Sequence, residues 1–226
     1  VRSREDFLRA KGLDPSRKTI VWSTTTAFYK RVRELMHALL EARADGRLGN
    51  YPNILVRLHP SGAWRLYQEF VETPGVAIDI PARHPVFDER AKEHKAEMDK
   101  HDLVNLTETL LYADVVFLVC STITIEASLF DKPIVGIGFP KHVRVASYAS
   151  EPIRWFIARG AARIAASFEE MIKLLNRYLQ NPELDRESRL ALAQDYVYFT
   201  DGRSYERTAN FIAEIIAKEK TSQAKR

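Results

Sequence analysis

The sequence predicts an α/β domain, a parallel sheet with helices on both faces. Three observations carry that expectation. Short apolar runs at Lys18–Ser23, Asn53–Leu58 and Asp114–Val119 alternate along the chain with segments whose apolar residues recur at helical spacing. The runs are near-continuous in apolar character, as strands covered on both faces require. At 226 residues with 46% hydrophobic side chains, the chain holds enough apolar material for one complete core.

Taken in order, Val1–Gly12 reads as a short amphipathic helix closed by Gly12, followed by a turn at Asp14-Pro15-Ser16. Lys18–Ser23 is the first strand. Tyr29–Ala44 places Val32, Leu35, Met36, Leu39 and Leu40 on one helical face before Asp45-Gly46 ends it. Asn53–Leu58 is the second strand, Ala63–Val71 a helix and Gly75–Asp79 a short third strand. Pro81–His101, rich in His, Lys and Glu, is longer than an ordinary connection and is expected to be an active-site lid or a small helical insertion. A helix over Leu106–Tyr112 leads into the strand Asp114–Val119. Then come a helix over Thr122–Phe130, a strand at Pro133–Gly136, a long loop, a strand at Ala162–Ala165, and helices starting at Phe168, Arg186 and Gly202. Residues 1–217 are expected to form one domain and 218–226 a basic tail.

Composition narrows the class without fixing it. The 34 Lys and Arg against 30 Asp and Glu leave a net charge of +4 spread along the chain, which suits a small anionic ligand as well as a nucleic acid. The basic group Lys141, His142 and Arg144 lacks the interleaved aromatics of an RNA-binding surface, so no nucleic-acid partner is expected. A lone Cys120 excludes an internal disulfide and points to a reducing compartment. No run reaches the roughly 18 apolar residues of a membrane span, and Val1–Arg4 lack the apolar region of a signal peptide. The expectation is a cytoplasmic protein, associated with a membrane at most peripherally. His94, Glu97 and His101 share a helical face near His84 and Asp88 but form no compact ligand motif. They read as a solvated charged helix, and neither a metal nor a cofactor is expected.

The run Ala113–Val135 carries the chemistry. A buried strand ends at Cys120, and Ser121-Thr122 then open a helix whose first turn offers unpaired N–H groups and a positive dipole to a phosphate. Glu126, on the next turn, can accept hydrogen bonds from both hydroxyls of a ribose, while the Ser121 and Thr122 hydroxyls donate to a diphosphate. The crevice at the strand ends is where open α/β sheets hold ligands. Plainer readings exist for each residue: Glu126 as a solvated side chain paired with Lys132, Ser121 and Thr122 as helix caps, His59 as a strand-end histidine and Thr24–Thr26 as turn residues.

The segment Ser121–Val135 resembles the donor-nucleotide segment of GT-B glycosyltransferases. It is similar as well to the matching segment of UDP-N-acetylglucosamine 2-epimerases and of the CDP-glycerol glycerophosphotransferases of teichoic acid synthesis. The resemblance implies a Rossmann-like sheet, the C-terminal half of a GT-B fold, with Ser121 and Thr122 at phosphate and Glu126 at ribose. His59-Pro60 after the second strand is similar to a His-Pro that the epimerase and glycerophosphotransferase groups place against the diphosphate. That makes His59 the residue expected to act chemically, donating to the leaving phosphate. Ser23–Thr26 matches a phosphate-contacting loop, which implies binding roles for Thr24 and Thr25, and Phe199–Ser204 resembles an Asp-Gly-Lys/Arg-Ser segment of sugar transferases. The resemblance further implies a UDP- or CDP-linked donor, transfer in surface polysaccharide or glycoconjugate synthesis, and an acceptor-binding N-terminal domain outside this chain. Leu118 stands where many retaining members carry an acid, and Thr122-Ile123 replace the glycine pair of the epimerases. A 2-epimerase-like enzyme and a catalytically inactive interaction domain are the alternatives.

Overall fold

The computed structural model describes residues 1–25, 31–81, 98–119, 121–139 and 153–223. Six strands are β1 (Thr19–Ser23), β2 (Asn53–Arg57), β3 (Val76–Asp79), β4 (Val115–Leu118), β5 (Ile134–Ile137) and β6 (Arg163–Ala165). They form one sheet in the order β3-β2-β1-β4-β5-β6, and every neighbouring pair is parallel. The Rossmann-like parallel sheet expected from the sequence is the fold of the chain. Ser23 lies in register beside both Arg57 and Leu118, and Arg57 lies beside Asp79. The order reverses between β1 and β4, and connections diverging from such a point leave a crevice beyond the carboxyl ends of the strands.

Both faces of the sheet are covered, so successive strand residues feed opposite layers. Ile20, Trp22, Val115, Phe117, Val135 and Ile137 pack on one side with the helices α2 (Val32–Ala44) and α6 (Phe168–Gln180). Val21, Val116, Leu118 and Ile134 pack on the other with α1 (Arg4–Ala10), α3 (Lys100–Tyr112) and α4 (Ile123–Leu129). Trp22 stacks on Phe117 at 5.3 Å between ring centres and meets Tyr67 edge-on at 5.9 Å, which fixes β1 against β4 directly below the crevice. Gly138, just past β5, has no room for a side chain: a Cβ there would lie 2.4 Å from a methyl of Ile164.

Local chemistry starts the helices where the caps fall. The Ser3 hydroxyl accepts from Asp6 N–H at 3.1 Å, and Gly12 leaves α1 in the left-handed region with φ +71°. Asp99 caps α3 by accepting from Asp102 N–H at 2.9 Å, so that helix begins well before the Leu106 expected. Its first half is polar in sequence, yet Asp102 and Asn105 are buried. Ser167 caps α6 through Glu170 N–H, and Glu170 accepts in return from Ala166 N–H at 2.7 Å.

Two expectations are corrected. Ala63–Val71 is not a continuous α-helix but two 3-10 turns, Trp64–Leu66 and Gln68–Phe70. The aromatic residues there recur every third position, and a helix of three residues per turn directs Tyr67 and Phe70 to one buried face. The connection between β5 and β6, expected as a loop throughout, contains the helix α5 (Ile153–Ala158), which buries Phe156 against Leu192 of α7 (Arg186–Val197). Residues 140–152 of that connection and 82–97 of the expected lid lie outside the described residues.

The last helix, α8 (Ser204–Gln223), is set apart by its exposure. Tyr205, Phe211, Ile212, Ile215 and Ile216 are all exposed, Phe211 at 63%. Most helical stability in proteins comes from burying one face, and α8 buries almost none. Its amide protons over residues 208–219 are expected to exchange orders of magnitude faster than those of β1 and β4 in hydrogen-exchange mass spectrometry. Equal protection in the two regions would show that α8 is held by the domain. No helix among the described residues is long and apolar enough to cross a membrane.

Candidate functional site

A cleft of about 250 Å³ opens beyond the carboxyl ends of β1, β2 and β4, at the start of α4. It brings Thr24 and His59 together with the group Ser121, Thr122 and Glu126, three segments that the sequence places far apart. Thr25 does not line it. Met98, Leu106 and Ile123 supply apolar wall, a surface on which a base or sugar face can rest. Cys120, Lys141, His142 and Arg144 lie outside the described residues, as do His84, Asp88, His94 and Glu97. His101 stands outside the cleft near Asp99 and Asp102, with ligand-type atoms within 4.8 Å of one another, and there the Asp99 carboxylate is the cap of α3.

Thr24 and His59 are tied to each other. Thr24 N–H donates to the Arg57 carbonyl at 3.0 Å, continuing the β1–β2 ladder by one residue. Its hydroxyl oxygen accepts from His59 N–H at 2.8 Å, which leaves the hydroxyl proton to donate into the cleft. His59 Nδ1 in turn accepts from Ser61 N–H at 3.1 Å. An Nδ1 that accepts a hydrogen bond carries no proton, so the neutral imidazole carries it on Nε2. Partial loss of hydration holds the His59 pKa below the usual histidine value. The ring is therefore neutral at pH 7 and offers one N–H donor. Gly62 completes this turn by donating to the His59 carbonyl at 2.7 Å, and a Cβ at position 62 would sit 2.8 Å from that oxygen.

Across the cleft, Ser121 and Thr122 introduce α4. The Ser121 carbonyl accepts from Thr124 N–H and from the Thr124 hydroxyl, the latter at 2.8 Å, while the Thr122 side chain makes no capping bond. The helix has only seven residues, so the dipole expected to draw phosphate is that of two turns. Glu126 projects from the first turn of α4, not the next turn as expected, and its Oε2 is buried without a hydrogen-bond partner. No ion pair joins Glu126 to Lys132 among the described residues, in contrast to the plain reading of that glutamate. Burial pushes the Glu126 pKa above the ordinary glutamate value, and a hydrogen bond from its own backbone N–H offsets part of that. A carboxyl oxygen left unsatisfied beside a cleft is an acceptor held ready for a donor from outside the chain.

Sequence reasoning missed one lining residue of consequence. Arg57, the last residue of β2, lines the cleft while only 4% exposed. Its Nη1 donates to Asp79 Oδ2 at 2.6 Å, and Asp79, the last residue of β3, also accepts through both carboxylate oxygens from Asn105 Nδ2 at 2.9 Å, and from Lys11 Nζ. One carboxylate thus joins β2, β3, α3 and the end of α1 beneath the cleft. Burial alone would raise the Asp79 pKa, but Arg57 and Lys11 outweigh it and hold the group below the usual carboxylate range. The available signal was the pairing of a basic and an acidic residue at the ends of two adjacent apolar strands.

No family model and no curated protein matches the chain. Solved structures do match. A variant of the wall teichoic acid polymerase TagF superposes with a TM-score of 0.58 at 14% identity, over 96% of this chain and 48% of that one. A TagF variant soaked with CDPG gives 0.55 at 14% identity, over 96% and 46%. The co-structure of S. aureus MnaA with UDP gives 0.53 at 12% identity, over 96% and 49%. The chain spans about half the length of these structures. At such identities the likeness is one of fold, and it is the fold of one half of a GT-B-type protein.

Proposed function

We propose that this chain binds a nucleotide-activated sugar or polyol phosphate, UDP- or CDP-linked, as the donor-binding half of a GT-B-type transferase in surface polysaccharide or glycoconjugate synthesis. The observation that carries the reading is Glu126 Oε2, an acceptor without a partner inside a cleft whose opposite side holds the hydroxyl of Thr24 and the imidazole of His59. A ribose supplies two hydroxyl donors to such a carboxylate. Ser121 and Thr122, beside it, donate hydroxyl hydrogens to the phosphate that follows the ribose in a nucleoside diphosphate. His59, neutral and protonated on Nε2, donates to the leaving diphosphate as negative charge collects there. The acceptor and its base are supplied by the other half, so this chain alone binds donor without turning it over.

The solved structures soaked with CDPG or holding UDP set the choice of probes. In a thermal-shift panel of UDP, CDP, GDP and ADP, the pyrimidine diphosphates are expected to stabilise the protein, by about 2.7 kcal/mol at a hundred-fold excess over Kd. Glu126→Ala is expected to remove the shift, and Lys100→Ala, at the start of α3, to keep it. A panel in which no nucleotide moves Tm would sink the reading.

A further inference from the structure

Beneath the cleft two cations converge on one carboxylate. Arg57 and Lys11 share the single carboxylate of Asp79, and Asn105, the other side chain on that carboxylate, is neutral. The nearby Arg2 and Glu108 are already committed to one another, with Nη2 to Oε2 at 2.7 Å and Glu108 buried. Asp79 is thus shared between two cations. Lys11 is partly hydrated, since its side chain is 19% exposed, whereas that of Arg57 is 5% exposed and looks onto the cleft. The Asp79 bond uses one of the five guanidinium N–H groups, and it is the only side-chain hydrogen bond of Arg57 among the described residues. A buried cation with spare donors on a cavity wall is costly unless an anion completes it.

We infer that Arg57 is a diphosphate-binding residue, shared between Asp79 on one side and the phosphate groups of the ligand on the other. The inference rests on the nucleotide reading of the same cleft. It assigns the neutralisation of the diphosphate chiefly to a side chain of β2, which lies on the same face of the sheet as α3 and α4. Asp79 has a positioning role: it fixes the guanidinium at the end of the strand so that the remaining donors face outward. The planar fork suits two phosphate oxygens at once, which a lysine ammonium cannot reproduce.

The test compares nucleotides that differ by one phosphate. Isothermal titration of CDP, UDP, CMP, UMP and inorganic pyrophosphate is carried out on wild type, Arg57→Lys and Arg57→Met. Asp79 keeps Lys11 and Asn105 as partners in Arg57→Met, so the fold is expected to persist, and circular dichroism checks it; Arg57→Lys retains a cation beside Asp79 in any case. Diphosphate affinity is expected to fall about 10- to 100-fold in Arg57→Met. Monophosphate affinity should fall much less, so that the preference for diphosphate over monophosphate collapses, with partial recovery in Arg57→Lys. A residue with a merely structural role would lower Tm and leave that preference unchanged, and this result in folded variants overturns the inference. Pyrophosphate binding that depends on Arg57 in a wild type indifferent to nucleotides would uphold the role of Arg57 and defeat the nucleotide reading. Absence of binding to both pyrophosphate and nucleotides defeats the two together.

Discussion

Asp79→Ala is expected to destabilise the protein by about 3–5 kcal/mol, lowering Tm on the order of 10 °C. The substitution leaves Arg57 and Lys11 facing each other around an empty position, with Arg57 almost fully buried. Removing one partner of a buried pair exposes the full desolvation cost of the other, and here two cations lose their only carboxylate. The neutral Asp79→Asn, which retains one acceptor oxygen for Asn105 or Arg57, is expected to cost less. The double variant Arg57→Met/Asp79→Ala should also be milder than Asp79→Ala, because it removes the stranded guanidinium. The pH dependence follows from the direction of the pKa. Arg57 and Lys11 overcome burial and hold the folded-state carboxylate below its ordinary value. The stabilisation is then complete above the unfolded value of about 3.9 and is lost as pH falls through the folded one. Urea melts at pH 7 and pH 3 should show the gap between wild type and Asp79→Ala narrowing in acid. A gap of constant size would mean that packing, not charge, makes Asp79 important.

For Glu126→Gln two opposite changes are expected at once. Without ligand the variant should be more stable than wild type at pH 7 by about 1 kcal/mol, or roughly 2–4 °C in Tm. Nucleotide affinity should fall by about ten-fold or more, because glutamine offers one acceptor and a donor where the ribose needs two acceptors. The stability gain has a physical origin in the unpartnered Oε2: the folded protein holds a carboxylate that burial penalises in its charged form. A carboxyl whose pKa is raised on folding favours the fold below its unfolded value of about 4.3 and loses that contribution as pH rises through the folded one. The advantage of glutamine is therefore largest at neutral pH and shrinks towards pH 4. Binding sites commonly trade stability for readiness in this way. Melting curves with and without CDP or UDP at both pH values read the two effects separately. A variant less stable than wild type at pH 7 that still responds fully to nucleotide would contradict both halves of the argument.

Much of the framework was legible from the sequence for one physical reason. Strands buried on both faces, such as Ile20-Val21-Trp22 and Val115–Leu118, must be apolar at consecutive positions, and their short length and β-branched content mark them as strands. What escaped was structure stabilised by features other than apolar periodicity. The first half of α3 turns the polar Asp102 and Asn105 inward, Asn105 onto the Asp79 carboxylate, and leaves the apolar Leu103 and Val104 exposed, and the aromatic spacing from Trp64 to Phe70 looks helical while favouring three residues per turn. In the candidate site, Thr24 reaches the cleft, held there by its hydrogen bonds to the Arg57 carbonyl and His59 N–H, and Thr25 does not line it. Arg57 was hidden inside a run read as strand core. Only the register of β2 against β3 reveals that its position faces an acid.

All six strands run the same way, so their carboxyl ends finish on one rim, where Arg57 and Asp79 terminate their strands and Thr24, His59 and Glu126 follow theirs. The groups that would choose a ligand thus sit downstream of the hydrophobic sandwich instead of within it. Length and composition of the rim connections can change while the stacked interior of Trp22, Phe117 and Tyr67 keeps its shape. Selectivity for a base or a sugar is, in such a layout, an adjustable attribute of the rim, whereas foldability belongs to the layers underneath.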